Sequence, residues 1–383
     1  MFMVKEEVGP KNYGVWVESA RYCRNLIFKG LDLRPDDWRL AEFGQAEHPA
    51  EGCVFIDCKL GPRMRELTGL CFGTVYPELP GRAYHAYRDA LYTAEELFDG
   101  FDPAVEGSYR QCLDWRVYEG FKRTEGTDEL VARRLHDHFI GEELREYLRA
   151  FPRVVAFMGG HDSLRSSAVY REVAVMARDL ARLGFLIATG GGPGLMEAAN
   201  LGAYLAPLSD TAMDEALESL GAVGGDRYTE PRWLHAAWAV RSLFGAGGPG
   251  LGVPTWFYGH EPPNVFASAI AKYFENSFRE EGLLAIASHG VIFAEGNAGT
   301  VQEIFQDGCQ NYYATYGLRS PMILFGAEYW NPVADAEGNY PGKSKPVWPL
   351  LRKLAQEKGF ADRVCITSDP AEVVARIAAF VAS

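Results

Sequence analysis

The fold of this 383-residue chain is decided by residues 186–200, which read LIATGGGPGLMEAAN. An apolar run of strand length, Phe185–Ala188, leads into the glycine-rich turn Gly190–Gly194, and a helical stretch follows to about Leu205. Buried parallel strands are continuous apolar runs, and glycine punctuates the turns between elements. This stretch therefore predicts one strand–turn–helix unit of a parallel sheet.

The same succession of elements recurs on both sides of this unit. Further strands are predicted at Val154–Met158, Val253–Phe257, Val291–Ala294, Met322–Phe325 and Val364–Thr367. Helices are predicted at about Ala168–Leu183, Val265–Leu284, after Thr300, at Val347–Lys358 and from Pro370. Strand–helix alternation implies right-handed parallel crossovers. The predicted fold class is a doubly wound, Rossmann-like α/β sheet over residues 151–383, with an insertion near residues 207–252.

Residues 1–150 have a different character, rich in aromatic and charged side chains, with no strong strand followed by a glycine turn. Within them, residues 127–150 repeat apolar side chains at helical spacing, which predicts a long packing helix. No internal repeat is evident. The sequence therefore predicts an N-terminal accessory region of mixed α+β or helical structure, with residues 151–383 as the main domain.

Composition limits the classes of partner. The formal net charge of −13 makes nucleic acid and anionic membranes unfavourable partners. Apolar runs are of strand length, far below the roughly 20 residues of a membrane span, and the N-terminus lacks the pattern of a signal peptide. The seven scattered cysteines are expected to be buried thiols, with a metal at Cys53 and Cys58 as the minor alternative. We expect a cytoplasmic protein.

Three glycine turns carry the candidate chemistry: residues 159–163 (GGHDS), 190–194 (GGGPG) and 296–300 (GNAGT). Ligands of doubly wound sheets bind at the carboxyl ends of the strands, and the free N–H groups of a helix's first turn favour anions. Two or three such turns side by side would form a phosphate cradle. The alternative is that these turns only allow helices to pack on strands.

Other nucleotide and catalytic motifs are disfavoured. A G-x-G-x-x-G fingerprint that starts at Gly190 requires glycine where Leu195 stands, and the only Gly-Lys-Ser tripeptide, residues 342–344, lacks the upstream glycine of a P-loop. His161, Asp162 and Ser163 are too close along one turn to act as a catalytic triad. The histidines show no metal-ligand spacing, so neither a metal nor a resident cofactor is predicted.

Two of these turns resemble the motifs of a known family. Residues 189–200, TGGGPGLMEAAN, are similar to the GGGxxGLM(E) segment of the LOG ("lonely guy") proteins, and residues 296–303, GNAGTVQE, are similar to their PGGxGTxxE segment. The resemblance covers about Arg153 to Ser383. These proteins, formerly described as lysine decarboxylase-like, include cytokinin-activating phosphoribohydrolases and bacterial nucleosidases of nucleoside 5′-monophosphates.

The resemblance implies hydrolysis of the N-glycosidic bond of a nucleoside 5′-monophosphate, giving free base and ribose 5-phosphate. Glu303 matches the family's catalytic glutamate, which would stabilise the ribosyl oxocarbenium ion and activate water. Arg279 is the candidate for the family's ligand-facing arginine, although counting from the second motif places that position nearer Glu280; Lys272 is the alternative. The residues expected to bind substrate and phosphate are Gly159, Gly160, Ser163, Gly191, Gly192, Gly194, Leu195, Met196, Gly296, Asn297, Gly299 and Thr300.

Further expectations concern the surroundings of the ligand, an alternative function and the oligomeric state. His161 is expected at the edge of the ligand, with Ser163 or Arg165 as a phosphate or ribose contact, and residues 256–264 could contact the base or ribose. Where the family has Pro-Gly-Gly, this chain has Glu295-Gly296-Asn297, which places a carboxylate beside the proposed phosphate. A non-catalytic nucleotide-binding or sensing protein, or a carrier of a phosphorylated cofactor, is therefore the alternative. By resemblance, we expect a homodimer or larger homo-oligomer.

Overall fold

The computed structural model describes residues 6–19, 23–42, 50–70, 73–105, 107–123, 126–221, 225–230, 232–245, 247–257 and 261–380. The chain forms two compact units, which divide between Arg88 and Asp89. Each unit contains a sheet in which all the described strands are parallel, with helices between them. The predicted α/β class is confirmed, and residues 89–150 belong to the same compact unit as the larger sheet.

The described residues of the first unit form a sheet of four strands in the order β1-β2-β3-β4. In chain order, its elements are β1 (Glu6–Val8), α1 (Tyr13–Ser19), β2 (Leu26–Lys29), α2 (Asp37–Glu42), β3 (Val54–Ile56), α3 (Pro62–Leu70) and β4 (Thr74–Tyr76). Phe28 of β2 and Phe55 of β3 stack at 5.0 Å between ring centroids in the core of this unit. Parallel strands that follow one another in space as in sequence require a crossover after each strand.

A structural repeat of 27 residues, which the sequence did not reveal, relates β2 to β3. Phe28 pairs with Phe55 in the parallel register. The residues that flank the strands also match, because Asn25 and Gly52 precede them with positive φ, and Gly30 and Asp57 follow them with positive φ. Only the backbone conformation is shared at these flanking positions, and different residue types supply it. The repeat is therefore visible in the structure rather than in the sequence.

In the second unit, the part of the chain that the structure describes forms a sheet of seven strands. Its elements are α4 (Ala94–Leu97), a 3₁₀ helix (Ser108–Gln111), α5 (Leu113–Arg123), α6 (Thr127–Leu148), β5 (Val154–Met158), α7 (Ala168–Arg182), β6 (Leu186–Thr189), α8 (Leu195–Leu205), α9 (Asp210–Gly221), α10 (Trp233–Phe244), β7 (Gly250–Gly252), β8 (Ala269–Ile270), α11 (Asn276–Ile286), β9 (Val291–Phe293), α12 (Ala298–Tyr313), β10 (Met322–Phe325), α13 (Ala327–Trp330), α14 (Trp348–Lys358), β11 (Val364–Thr367) and α15 (Pro370–Ala379). Among the described helices, none combines the length with the apolar composition of a membrane span.

The order of strands in this sheet is β11-β10-β9-β5-β6-β7-β8. The chain moves outward from β5 through β6 and β7 to β8, then returns to the other side of β5 and continues through β9, β10 and β11. The direction therefore reverses between β5 and β9, and this is the switch point at which doubly wound sheets form a ligand crevice. Such a fold is suited to binding a nucleotide or a cofactor.

Two predicted elements of this unit are wrong. The strand expected at Val253–Phe257 lies earlier, at Gly250–Gly252, because two glycines let its backbone pack closely against its neighbours. The helix expected at Val265–Leu284 is a short strand, β8, followed by α11. The first half of residues 265–284 cannot be helical, because the N–H of Ile270 donates to the carbonyl of Tyr92, which lies outside the segment, instead of to the carbonyl four residues earlier. An apolar run alone does not distinguish a buried strand from a buried helix.

Candidate functional site

The three glycine turns follow β5, β6 and β9 and are hydrogen-bonded to one another. The N–H of Gly160, after β5, donates to the carbonyl of Glu295, after β9, at 2.8 Å. On its other side, the carbonyl of Gly160 accepts the N–H of Leu195, the first residue of α8, at 3.1 Å. The turn after β5 therefore joins the other two at the switch point of the sheet.

Gly194 makes the contact between the turns after β5 and β6 possible. Its φ is +66°, in the region that glycine occupies without a steric penalty. A Cβ at this position would collide with the carbonyl oxygen of Gly160 and would lie 2.7 Å from the carbonyl carbon of His161. The glycine of this motif is required here for backbone-to-backbone packing, in addition to any contact with a ligand.

Several N–H groups expected to bind phosphate are already hydrogen-bonded within the protein. Gly160 and Leu195 are bonded as described above, and the N–H of Gly191 donates to Oγ1 of Thr189 at 2.9 Å. In the described part of the chain, the N–H groups of Gly192 and Gly194 have no protein acceptor. These two donors are the ones that the turn after β6 can offer to an anion.

Buried polar side chains form hydrogen bonds that hold the turn after β6 in place. Asn264 donates its backbone N–H to the carbonyl of Gly191 at 2.8 Å and its side-chain N–H to the carbonyl of Gly192 at 3.1 Å. The same side chain bonds to Asn200 at 3.0 Å, and Asn200 bonds to Thr189 at 2.7 Å. Asn264 was expected only as part of the 256–264 stretch near the base or ribose, not as a support of this turn. Its signal is weak, since it is one asparagine in a polar loop.

The turn after β9 presents the start of α12. Asn297 and Gly299 are exposed, and the side chain of Asn297 makes no capping hydrogen bond. No protein acceptor is found among the described residues for the N–H groups of residues 298–300, as is usual for the first turn of a helix. Tyr329 donates its hydroxyl to the carbonyl of Gly296 at 2.6 Å and so fixes the turn. This turn can also receive an anion.

Glu303 and Arg279 face each other beside these turns. Nη1 of Arg279 lies 3.3 Å from Oε1 of Glu303, and Nε of Arg279 donates to the carbonyl of Val253 at 3.1 Å. The guanidinium fills the space beside Gly190 that a side chain there would occupy. Burial raises the pKa of Glu303, opposed by Arg279 and reinforced by Glu280. The result is a largely buried ion pair at the carboxyl end of the sheet.

Arg279 reaches this position because of where α11 begins. Asp137 of α6 accepts the N–H groups of Phe274 and Glu275, just before the helix, at 2.9 and 2.8 Å. Glu280, one residue further on, accepts a hydrogen bond from Gln302 at 2.7 Å, and its Oε1 lies 4.0 Å from Nη1 of Arg279. The residue that faces Glu303 is thus Arg279, despite the one-residue offset in the sequence motif.

Lys272, the alternative to Arg279 as the ligand-facing cation, is paired with Asp114 instead of Glu303. Its Nζ is 2.5 Å from Oδ1 of Asp114, and Trp256 donates to the same oxygen at 2.9 Å. Burial lowers the pKa of Lys272, and Asp114 opposes this shift. Trp256 is buried with it, so this part of the 256–264 stretch belongs to the core, and residues 258–260 lie outside the described residues.

Glu197 and Arg165 form a second buried pair, with a structural role. The guanidinium of Arg165 donates to both carboxylate oxygens of Glu197, at 2.5 and 2.8 Å, and Tyr170 donates to the same carboxylate at 2.9 Å. The expectation that Arg165 contacts the ligand is wrong, because its side chain is 1% exposed and its guanidinium is bonded to the carboxylate of Glu197. The glutamate of the GLME segment holds α8 in place.

The other predicted residues lie around the turns. Met196 is buried, with its sulfur and methyl group packed over Gly190 and Gly192. Gly159 packs against the side chain of Leu195, and Ser163 is half-buried near Gly160. Across the ranges that the structure describes, no three His, Cys, Asp or Glu side chains are grouped so as to hold a metal ion.

Comparison with known proteins gives only distant likenesses. No protein-family model matches the sequence, and no curated protein matches it significantly. The chain is similar to the molybdenum cofactor binding protein from Rippkaea orientalis (16% identity, TM-score 0.34, 59% of this chain and 94% of that one). It is similar to the molybdenum cofactor carrier protein of Chlamydomonas reinhardtii (15%, 0.35, 59% and 96%) and to DNA processing protein A of Helicobacter pylori, whose structure concerns single-stranded DNA binding (13%, 0.31, 60% and 81%). Likeness at this level carries no conclusion about function.

Proposed function

We propose that the protein hydrolyses the N-glycosidic bond of a nucleoside 5′-monophosphate. The observation that carries this proposal is the pairing of Glu303 with Arg279 next to two turns whose N–H groups include several without an acceptor among the described residues. A carboxylate held near donors for phosphate is the arrangement needed to bind a ribose 5-phosphate group and act at its C1′ carbon. Neither a metal nor a cofactor is needed for this chemistry.

In this proposal, the phosphate lies between the N–H groups of Gly192 and Gly194 and those of residues 298–300. Donors at a helix start and at a glycine turn stabilise an anion through hydrogen bonds and the helix dipole. The phosphate thereby anchors the ribose, and Thr300 adds a hydroxyl. The same turns would bind ribose 5-phosphate as product, so the site can be titrated with a molecule that cannot be hydrolysed further.

Glu303 would act on the sugar. As the C1′–N bond breaks, its electron pair leaves with the base, and the ribosyl ring gains oxocarbenium character that a nearby carboxylate stabilises. The oxygen of a water molecule then bonds to C1′, its proton passes to Glu303, and the base takes a proton from solvent. Arg279 orients the carboxylate and opposes the rise in its pKa that burial causes.

The test is release of base from AMP, GMP, CMP and UMP, followed by liquid chromatography with the full chain. Glu303→Gln should lower the rate by at least about 100-fold, since it removes both the negative charge and the proton acceptor. The matched control is Glu281→Gln on the exposed side of α11, which should keep the wild-type rate. The absence of base release from every nucleotide, modified adenylates included, would reject the activity.

A second candidate is a non-catalytic binder or carrier of a phosphorylated ligand, and Glu295 favours it. Its side chain lies beside the turn after β9, and burial and Glu172 raise its pKa. A carboxylate there weakens binding of a dianionic phosphate. Thermal stabilisation by a nucleotide without any base release, together with mass spectrometry of molecules that co-purify, would identify such a role. Homo-oligomer formation, the cytoplasmic location and a separate accessory function for the N-terminal region stay predictions.

A further inference from the structure

Hydrogen bonds attach the insertion between α8 and β7 to the loop after β5, beside the candidate site. Ser166 donates its N–H and its hydroxyl to the carboxylate of Asp226, each at 2.8 Å. Arg165 donates to the carbonyls of Gly225 and Trp233, each at 2.9 Å. Because Arg165 is itself held by Glu197, this part of the insertion is fixed relative to α8 and to the loop after β5.

This attachment places Tyr228 against His161. Their ring centroids are 5.7 Å apart with an interplanar angle of 84°, an edge-to-face contact. His161 belongs to the glycine turn after β5, and its carbonyl packs on Gly194. The insertion therefore places an aromatic ring next to the turn after β6.

Glu261 completes this group from a third segment. Its Oε1 is 3.6 Å from Nδ1 of His161, and its Oε2 is 3.8 Å from where a Cβ would lie on Gly192. The side chains of His161 and Glu261 remain 37% and 34% exposed, so a ligand can reach them. Burial raises the pKa of the Tyr228 hydroxyl, and Glu261 and Asp162 add to the rise, which agrees with their closeness.

Tyr228, His161 and Glu261 differ in chemistry from the N–H donors proposed to bind the phosphate. Two carboxylates, Glu261 and Asp162, accept hydrogen bonds and repel anions, while the rings of Tyr228 and His161 offer flat apolar surface. Such surroundings suit a planar ring whose edge carries N–H donors. A carboxylate can accept two adjacent N–H groups at once, and among the common bases guanine presents such a pair.

We infer that Tyr228, His161 and Glu261 form the subsite for the base, and that Glu261 selects a base edge with two adjacent N–H donors, as in guanine. This inference rests on the proposed function, since it assumes a nucleotide whose phosphate lies at the glycine turns. It adds the class of base and gives the insertion a role in specificity.

The test compares the binding of GMP, IMP and ribose 5-phosphate by calorimetry, in a Glu303→Gln background to prevent turnover. IMP lacks the amino group at position 2, so GMP should bind at least about tenfold more tightly, the effect of about 1.4 kcal/mol. Glu261→Gln should reduce this ratio to about one. Glu218→Gln, on an exposed part of the insertion, is the matched control and should leave the ratio unchanged.

Tyr228→Ala should weaken GMP and IMP by a similar factor, at least about fivefold, and leave ribose 5-phosphate unaffected. Tyr228→Leu serves in its place if the alanine variant does not fold. Equal binding of GMP and IMP by the wild-type subsite, or an unchanged ratio in Glu261→Gln, overturns the inference. So does equal weakening of ribose 5-phosphate by the Tyr228 variants. Binding as expected without base release by the wild-type chain would instead reject only the enzymatic activity.

Discussion

Replacement of Asp307 by asparagine should abolish a pH-dependent loss of stability. Asp307 lies one helical turn after Glu303 on α12 and is 2% exposed. Among the described residues, its Oδ2 has no hydrogen-bond partner, and its Oδ1 accepts the side-chain N–H of Asn311 at 3.4 Å. Burial raises the pKa of this carboxyl from 3.8 to about 8. The folded protein therefore keeps a proton here at neutral pH, whereas the unfolded chain releases it.

The sign of the effect follows from this difference in proton binding. The folded-state pKa is raised, so the contribution to stability is fully present below about pH 4 and is lost as pH rises toward 8. Within that window, each pH unit lowers the free energy of unfolding by about 1.4 kcal/mol. Between pH 5 and pH 7, the loss amounts to about 2.7 kcal/mol.

Urea unfolding of the wild-type protein and Asp307→Asn at pH 5, 6 and 7 measures this term, because the other titrating groups are common to both proteins. The free energy of unfolding of the variant, relative to the wild type, should increase by about 2.7 kcal/mol from pH 5 to pH 7. Asp362→Asn is the control, since the Asp362 side chain is 71% exposed. A difference between variant and wild type that stays constant with pH would refute the reasoning.

Three further predictions concern the elements that build the site. Gly194→Ala should destabilise the protein by about 2 kcal/mol or more, seen as a lower unfolding midpoint, because residue 194 has φ +66° and contacts the carbonyl of Gly160; an unchanged midpoint would contradict this. Arg165→Met should lower the free energy of unfolding by about 3–5 kcal/mol, because it leaves the Glu197 carboxylate buried without its cation. Adding Glu197→Leu should recover much of that loss, which a double-mutant cycle by calorimetry would measure. For the proposed activity, kcat/KM should fall as the pH drops through the pKa of Glu303, because the base must be ionised and burial raises this pKa above its ordinary 4.5. A kcat/KM that stays constant down to pH 4.5 would argue against Glu303 as the base.

Much of the larger sheet could be predicted from the sequence because its strands are apolar runs bounded by glycine. Val154–Met158 and Met322–Phe325 begin and end as predicted, since each is buried on both faces and followed by a turn residue. The strand Gly250–Gly252 carried no such signal, because two of its three residues have no side chain. The strands of the first unit are three or four residues long, too short for a reliable pattern.

The candidate site was predictable to the extent that it follows from local motifs. The glycine turns, Glu303 and Arg279 could be named from the order of residues. Asn264 lies in the 256–264 stretch that was expected near the base or ribose, but its bond to Gly191 could not be predicted. The contact of Tyr228 with His161 could not be predicted either, because in both cases the partner is far away in sequence. A single asparagine or tyrosine in a polar loop has no periodicity that would mark it.

The amino-acid sequence alone determined the strand–turn–helix units and where their glycines lie, because these depend on the size and polarity of neighbouring residues. Only the tertiary structure decided which N–H groups of the turns remain for a ligand. Gly160 and Leu195 donate to carbonyls of other turns, whereas Gly192 and Gly194 have no acceptor in the part of the chain that the structure describes. Hydrogen bonds between segments that are distant in sequence depend on how the strands are ordered in the sheet, and that order emerges only when the chain has folded.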